Sequence, residues 1–159
     1  MISRIKKLLK EIYVSTEPSK WQSGKTFDII KNPSYDEFIK FAREINFLEF
    51  NPLKNLMLRF IIDTSNGDLY IWDGQHALHR DLFKILKLKT KSYIGGVFND
   101  SSKVIYYDPN SYSSEFDHEP QLIINHTIFS LSKYIKNITD YKFNIKGEYF
   151  KVDDNGETL

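Results

Sequence analysis

The residues that most constrain the fold are Asp63-Thr-Ser-Asn-Gly-Asp68 and the segment that follows, Leu69-Tyr-Ile-Trp-Asp-Gly-Gln-His76. Asn66-Gly67 supplies the positive-φ residues that a tight hairpin needs, so a strand over Leu56–Ile62 turns back into Leu69–Trp72. Gly74 allows a sharp turn off the return strand. Helical spacing then resumes at Leu78, Leu82, Ile85 and Leu86, with Lys84, Lys87 and Lys89 outside, which predicts a helix over Ala77–Leu88. This strand–turn–helix unit, with its hairpin, organises everything around it.

The remaining segments read as partners for that unit. Ile2, Ile5, Leu8, Leu9 and Ile12 recur at helical spacing and predict an amphipathic first helix. Thr16 to Pro33 is a loop with a short strand at Phe27–Ile30. Ser34-Tyr-Asp-Glu37 is a capping box that opens a helix carrying Tyr35, Phe38, Ile39, Ala42 and Ile45 on one face. Tyr93–Phe98 and Val104–Tyr107 are two further strands. Gly95-Gly96 inside the first gives up side-chain packing, which points to a bulge or a close backbone approach. Asp108 to Pro120 is a polar loop, Leu122 to Ile138 has helical spacing, and Tyr141–Ile145 with Tyr149–Val152 forms a closing hairpin around Lys146-Gly147. Asp153 to Leu159 is expected to fray. The fold class is α+β: one domain over 1–159, with a small mixed sheet built from hairpins and packed helices. Residues 34–98 are its core, 99–152 add strands and a helix, and 153–159 are a flexible tail.

Composition sets the outer limits. The chain has 159 residues, 41% of them hydrophobic and 15% aromatic, enough for a conventional core. The absence of Cys excludes thiol nucleophiles, disulfides and thiolate metal sites and fits a reducing compartment. The basic start, from Met1 to Lys10, keeps returning to charge and lacks a signal-peptide pattern, and no apolar run reaches membrane-spanning length. The expected location is therefore the cytoplasm or a virion, without a membrane partner. A net charge of +1 gives no global grip on nucleic acid. The charge is uneven, however. Basic groups gather in residues 1–31 and from Arg80 to Lys91; none falls between Lys103 and Lys133, where Asp108, Glu115, Asp117 and Glu119 lie.

The strand-to-helix junction at Asp73–Arg80 is the leading candidate site. Gly74, Gln75 and His76 stand at a helix start, where free amides and the helix dipole favour an anion. Arg80 and Arg59 are the cations expected to join them. Asp73, His76 and His79 are spaced i, i+3, i+6, so acid–base chemistry by these three is the catalytic expectation; no fourth ligand is evident, and no metal is assigned. The alternative is that Asp73 caps the helix, the histidines pack locally, and Arg59 pairs with Asp63 or Asp73. Ser23-Gly-Lys-Thr26 is not a phosphate-binding loop, because Ser19 occupies the required glycine position. Asp117-His118-Glu119 reads as a solvated acidic loop and His126 as a hydrogen-bonded, half-core histidine. Tyr93, Tyr106, Tyr107 and Tyr112 can stack on bases but read more simply as strand and core residues.

Gly67-Asp-Leu-Tyr-Ile-Trp-Asp-Gly-Gln-His76, followed by a helix and a strand at Tyr93, resembles the core of the ParB/sulfiredoxin-like superfamily, including its DGQHR-type members. The resemblance covers residues 34–98, and its specific part is Asp73–His76. Ala77 stands where those families keep an arginine, and Arg80 comes three residues late. The sulfiredoxin cysteine has no counterpart. Leu58–Leu82 also resembles segments of uncharacterised bacteriophage and viral proteins. The resemblance implies the fold more than an activity. The preferred expectation is a non-catalytic phage or viral accessory or structural protein, with a protein partner. The alternative is a nucleotide- or nucleic-acid-binding domain with hydrolase or nuclease activity at the Asp73–Arg80 turn. The residues indicate neither a cofactor nor an oligomeric state.

Overall fold

The computed structural model describes residues 19–22, 28–46, 53, 56–73, 92–109 and 111–159. The expected helices at Ile2–Ile12 and Ala77–Leu88 lie outside these residues. Within them the central hairpin forms from β3 (Met57–Asp63) and β4 (Leu69–Asp73). Its loop is longer than a two-residue turn: Asp63 N donates to Asp68 O at 2.9 Å, and only Gly67 of the Asn66-Gly67 pair takes positive φ, at 83°. Side chains complete the turn. Asp63 Oδ1 accepts from the Ser65 amide at 3.0 Å, and Asn66 Oδ1 accepts from the Asp68 amide at 2.9 Å. These short polar side chains satisfy loop amides that a tighter turn would leave to the ladder.

The other strands are β1 (Ser19–Gln22), β2 (Asp28–Lys31), β5 (Tyr93–Asn99), β6 (Val104–Tyr107), β7 (Lys142–Ile145) and β8 (Glu148–Phe150). All eight join one sheet in the order β1-β2-β4-β3-β5-β6-β7-β8. Every neighbouring pair is antiparallel except β6 and β7, which are parallel. A parallel pair needs a crossover, and here the chain from β6 to β7 passes through a helix, α2 (Pro120–Leu131). The architecture is mixed α+β, with a broader sheet than separate hairpins would give.

Strand alternation sorts the sheet into two faces. Phe60, Ile71, Ile94, Phe98, Ile105 and Phe143 point to the side of α2 and of helix α1 (Tyr35–Asn46), where they meet Phe38, Ala42, Ile124 and Ile128 in one core. The capping box starts α1 as the sequence requires: Glu37 N donates to Ser34 Oγ at 3.2 Å, and Ser34 N to Glu37 Oε1 at 3.1 Å. Gly96 lies in this core. A Cβ there would stand 2.8 Å from the Phe60 ring and 2.9 Å from the Tyr106 carbonyl oxygen, so the close approach expected of the Gly95-Gly96 pair is present.

Two expectations are corrected. The helix expected to reach Ile138 ends at Leu131. Beyond it Tyr134 turns inward, stacks against Phe38 at 4.8 Å and donates its hydroxyl hydrogen to Pro33 O at 2.6 Å. Ile135 and Ile138 still reach the core, from a turn and a 3-10 helix (Ile138–Asp140), so their spacing mimicked a continuous helix. The segment expected to fray is hydrogen-bonded. Val152 bridges Thr158, Asp153 Oδ1 accepts from Asn155 N and Glu157 N, and Gln121 on α2 holds Gly156 O and Thr158 N.

Candidate functional site

Gly74, Gln75, His76, His79 and Arg80 lie outside the described residues. The two members of the expected site that are described do not converge. In the β3–β4 ladder Leu58 stands opposite Asp73 and Arg59 opposite Trp72, so Asp73 projects from the helix-covered face and Arg59 from the other. Asp108, across β5 and β6, faces Arg59 electrostatically. Partial burial lowers the guanidinium pKa, and the Asp108 charge opposes that shift. Among the described residues no group of three His, Asp or Glu side chains is placed to hold a metal ion.

Arg59 belongs to a continuous row on the second face. Ladder registers run Ile29–Trp72–Arg59–Val97–Tyr106–Asn144–Tyr149 across seven strands. Ile29 and Trp72 at one end are fully buried, whereas Tyr106 is 36% and Tyr149 57% exposed. The second face is therefore closed over β2 and β4 and open over β6 to β8.

At that open end the chain builds a cleft of about 370 Å³, lined by Val97, Tyr106, Asp108, Ser111, Asn144 and Lys146 among others. Its origin is a break in strand pairing. β6 pairs with the second half of β5, while Ser111–Ser113 run beside the first half, with Ser113 N donating to Tyr93 O at 2.9 Å and Ile94 bridging Tyr112. Between the two stretches Asp108-Pro109 opens a turn that Ser111 N closes by donating to Asp108 O at 2.9 Å. Proline pre-sets the second position of such a turn. The chain thereby leaves the sheet beyond β6, next to the Lys146-Gly147 turn that ends β7, and a hollow remains between them.

The polar groups of the cleft are held in place. Ser111 Oγ donates to Asp108 Oδ1 at 3.1 Å. Asn144, which lines the cleft, uses its oxygen to accept from Gly147 N at 2.9 Å. Lys146 has φ of 54° and forms an ion pair with Asp117, which draws the carboxyl pKa down and the ammonium pKa up. The Tyr112 hydroxyl is buried beside Lys146 without a well-formed hydrogen bond, and burial raises its pKa. The volume and the mixture of ring, amide and charge match a small-ligand site.

The remaining candidates are structural. Asp117 belongs to the Lys146 pair, and His118 is exposed 3.6 Å from it. His126 is buried on α2, edge-on to Phe116 at 5.6 Å, and desolvation pushes its pKa down to about 4. Tyr107 is core and shares a hydrogen bond of 2.5 Å with Thr127; Tyr112 is buried as well. Sequence reasoning passed over Asn144, Lys146 and Ser111. The available signal was Asp108-Pro109 directly after a strand, a turn that takes the chain off a sheet. No protein-family model, curated protein or solved structure matches this chain.

Proposed function

We propose that this chain is a non-catalytic binding module, of the accessory or structural kind that a phage or virus carries in the host cytoplasm or virion, and that its ligand enters the cleft beyond β6 and β7. The observation that carries this reading is the cleft itself: a hollow of ligand size lined by the cross-strand neighbours Tyr106 and Asn144. Lys146 lines it beside Asp117, and Arg59 stands next to its Val97 wall with Asp108 facing it, so a planar ligand suits it, and nucleotides are the first class to test. Among the described residues, the Asp63 and Asp68 carboxylates are bound into the hairpin loop and His126 into the core.

Thermal melting with AMP and UMP tests the reading. Binding to the folded state raises the melting temperature by mass action, and Asn144→Ala lessens the rise without hydrolysis in either protein. A second reading, favoured by Asp73-Gly-Gln-His76, is a nucleotide hydrolase or nuclease at the Asp73–Arg80 turn, with the ParB/sulfiredoxin-like core over residues 34–98. Turnover of nucleotide or DNA that His76→Ala abolishes, with the circular dichroism spectrum retained, replaces the first reading with the second.

A further inference from the structure

The open face beside the cleft has a regular geometry. Tyr106 on β6, Asn144 on β7 and Tyr149 on β8 are direct cross-strand neighbours, so the two exposed rings stand two strand spacings apart, roughly 10 Å. Between them sits a side-chain amide. Lys142 lies on the same face, its ammonium 5.9 Å from the Tyr149 ring centroid. Strand propensity alone accounts for tyrosines on a sheet, but an exposed pair in one row is also the kind of platform on which unpaired bases stack.

Charge on this face is nearly balanced, apart from one lysine. Arg59, Lys142 and Lys146 face this side, with Asp108 beside Arg59 and Asp117 paired to Lys146. Lys142 has no acidic partner in this set. Glu148 projects to the opposite face, because its ladder partner is Ile145, a core residue. The side of a duplex laid on this surface would offer only base edges in its grooves, whereas a single strand can splay its bases onto separate rings.

Resting on the binding reading above, we propose that the occupant is single-stranded nucleic acid laid across β6, β7 and β8. One base enters the cleft against Tyr106, a second stacks on Tyr149, the Asn144 amide faces a base edge, and Lys142 contacts the phosphates. Sequence preference is weak, since stacking accepts any base. Binding weakens with salt, by a slope set by the few phosphates contacted.

Fluorescence anisotropy with labelled dT10, rU10 and a ten-base-pair duplex tests this on the full chain. The single strands bind and the duplex does not compete. Tyr149→Ala and Tyr106→Ala each weaken binding about 5- to 150-fold, and Lys142→Gln reduces the salt slope by about one. Tyr149 is more than half exposed, so its variant keeps the fold and carries the test if Tyr106→Ala does not. Equal affinity of wild type and Tyr149→Ala, or a preference for duplex, overturns the proposal. If AMP and UMP raise the melting temperature through Asn144 while no oligonucleotide binds, the strand is wrong and the cleft reading stands. If neither binds, both fail.

Discussion

The two faces of the sheet are built differently. On the helix side, Phe60, Ile71, Phe98 and Phe143 are sealed under α1 and α2 in one continuous core. On the other side a single row of residues passes from fully buried Ile29 and Trp72 to half-exposed Tyr149. Both faces use large rings, so ring content alone does not distinguish packing from recognition. The distinction is whether the ring has lost its water. A buried ring contributes its full transfer free energy to folding, whereas an exposed one contributes little and remains available for a ligand.

The buried end of the second face is expected to be as much a core as the helix side. Trp72 is fully buried, so Trp72→Ala is expected to cost about 3–5 kcal/mol in urea unfolding, a large part of the ~5–15 kcal/mol that holds a domain of this size. A loss below about 1 kcal/mol would remove the contrast between the closed and open ends of the row.

The helix side has its own test in His126. Desolvation on α2 holds its imidazole neutral, with a pKa of about 4 against the ordinary 6.5 of a solvated histidine. The unfolded chain therefore takes up that proton first as the pH falls. Stability attributable to His126 is fully present above pH 6.5, declines from there to about pH 4 and is absent below it. The whole step is at most about 3 kcal/mol. His126→Gln removes it, so the difference between wild-type and variant unfolding free energies should vary with pH across this window. Parallel pH curves would mean that the imidazole is solvated in the folded protein.

Much of the helix side was legible in the sequence because its signals are local. Alternating strand residues and the Ser34–Glu37 capping box act within a few positions and appear where the pattern put them, and the hairpin turns at Asn66-Gly67, though through a longer loop in which only Gly67 takes positive φ. Ile135 and Ile138 misled, because a turn and a 3-10 helix can present apolar residues at the same interval as an α-helix. The cleft was not legible, for a different reason. Its walls come from β5, β6, β7 and two turns, and they meet only because α2 carries the chain back to lay β7 parallel to β6. Nothing in the neighbourhood of Asn144 or Ser111 records that crossover. Likewise Arg59 and Asp73 are both conspicuous in sequence, yet a one-residue offset in register sends them to opposite faces.

Gly96 connects the two faces, since its missing side chain lets the Phe60 ring and the Tyr106 carbonyl approach from either side of it. Gly96→Ala places a methyl group inside both contacts, and a backbone carbonyl cannot swing away as a side-chain tip can. The expected loss is about 1–3 kcal/mol, read as a lower urea midpoint at unchanged slope. Displacement of β6 would also move Tyr106, so a loss of cleft binding larger than the stability loss explains would show that packing on the closed face sets the geometry of the open one.

The smallest stability effect is the sharpest test of the contrast. Tyr149 lies on edge strand β8 with 57% of its surface exposed, so its ring is already mostly in water when the chain is folded. Tyr149→Ala gives up a little strand propensity and the nearby Lys142 ammonium. Its effect on folding should fall within about 0.5 kcal/mol, as for most surface substitutions. The same substitution at Trp72, five positions away along one continuous row of the sheet, should cost several times more. If Tyr149→Ala instead destabilised the fold as Trp72→Ala does, the ring would be part of a core, and the open face would offer no platform to a ligand.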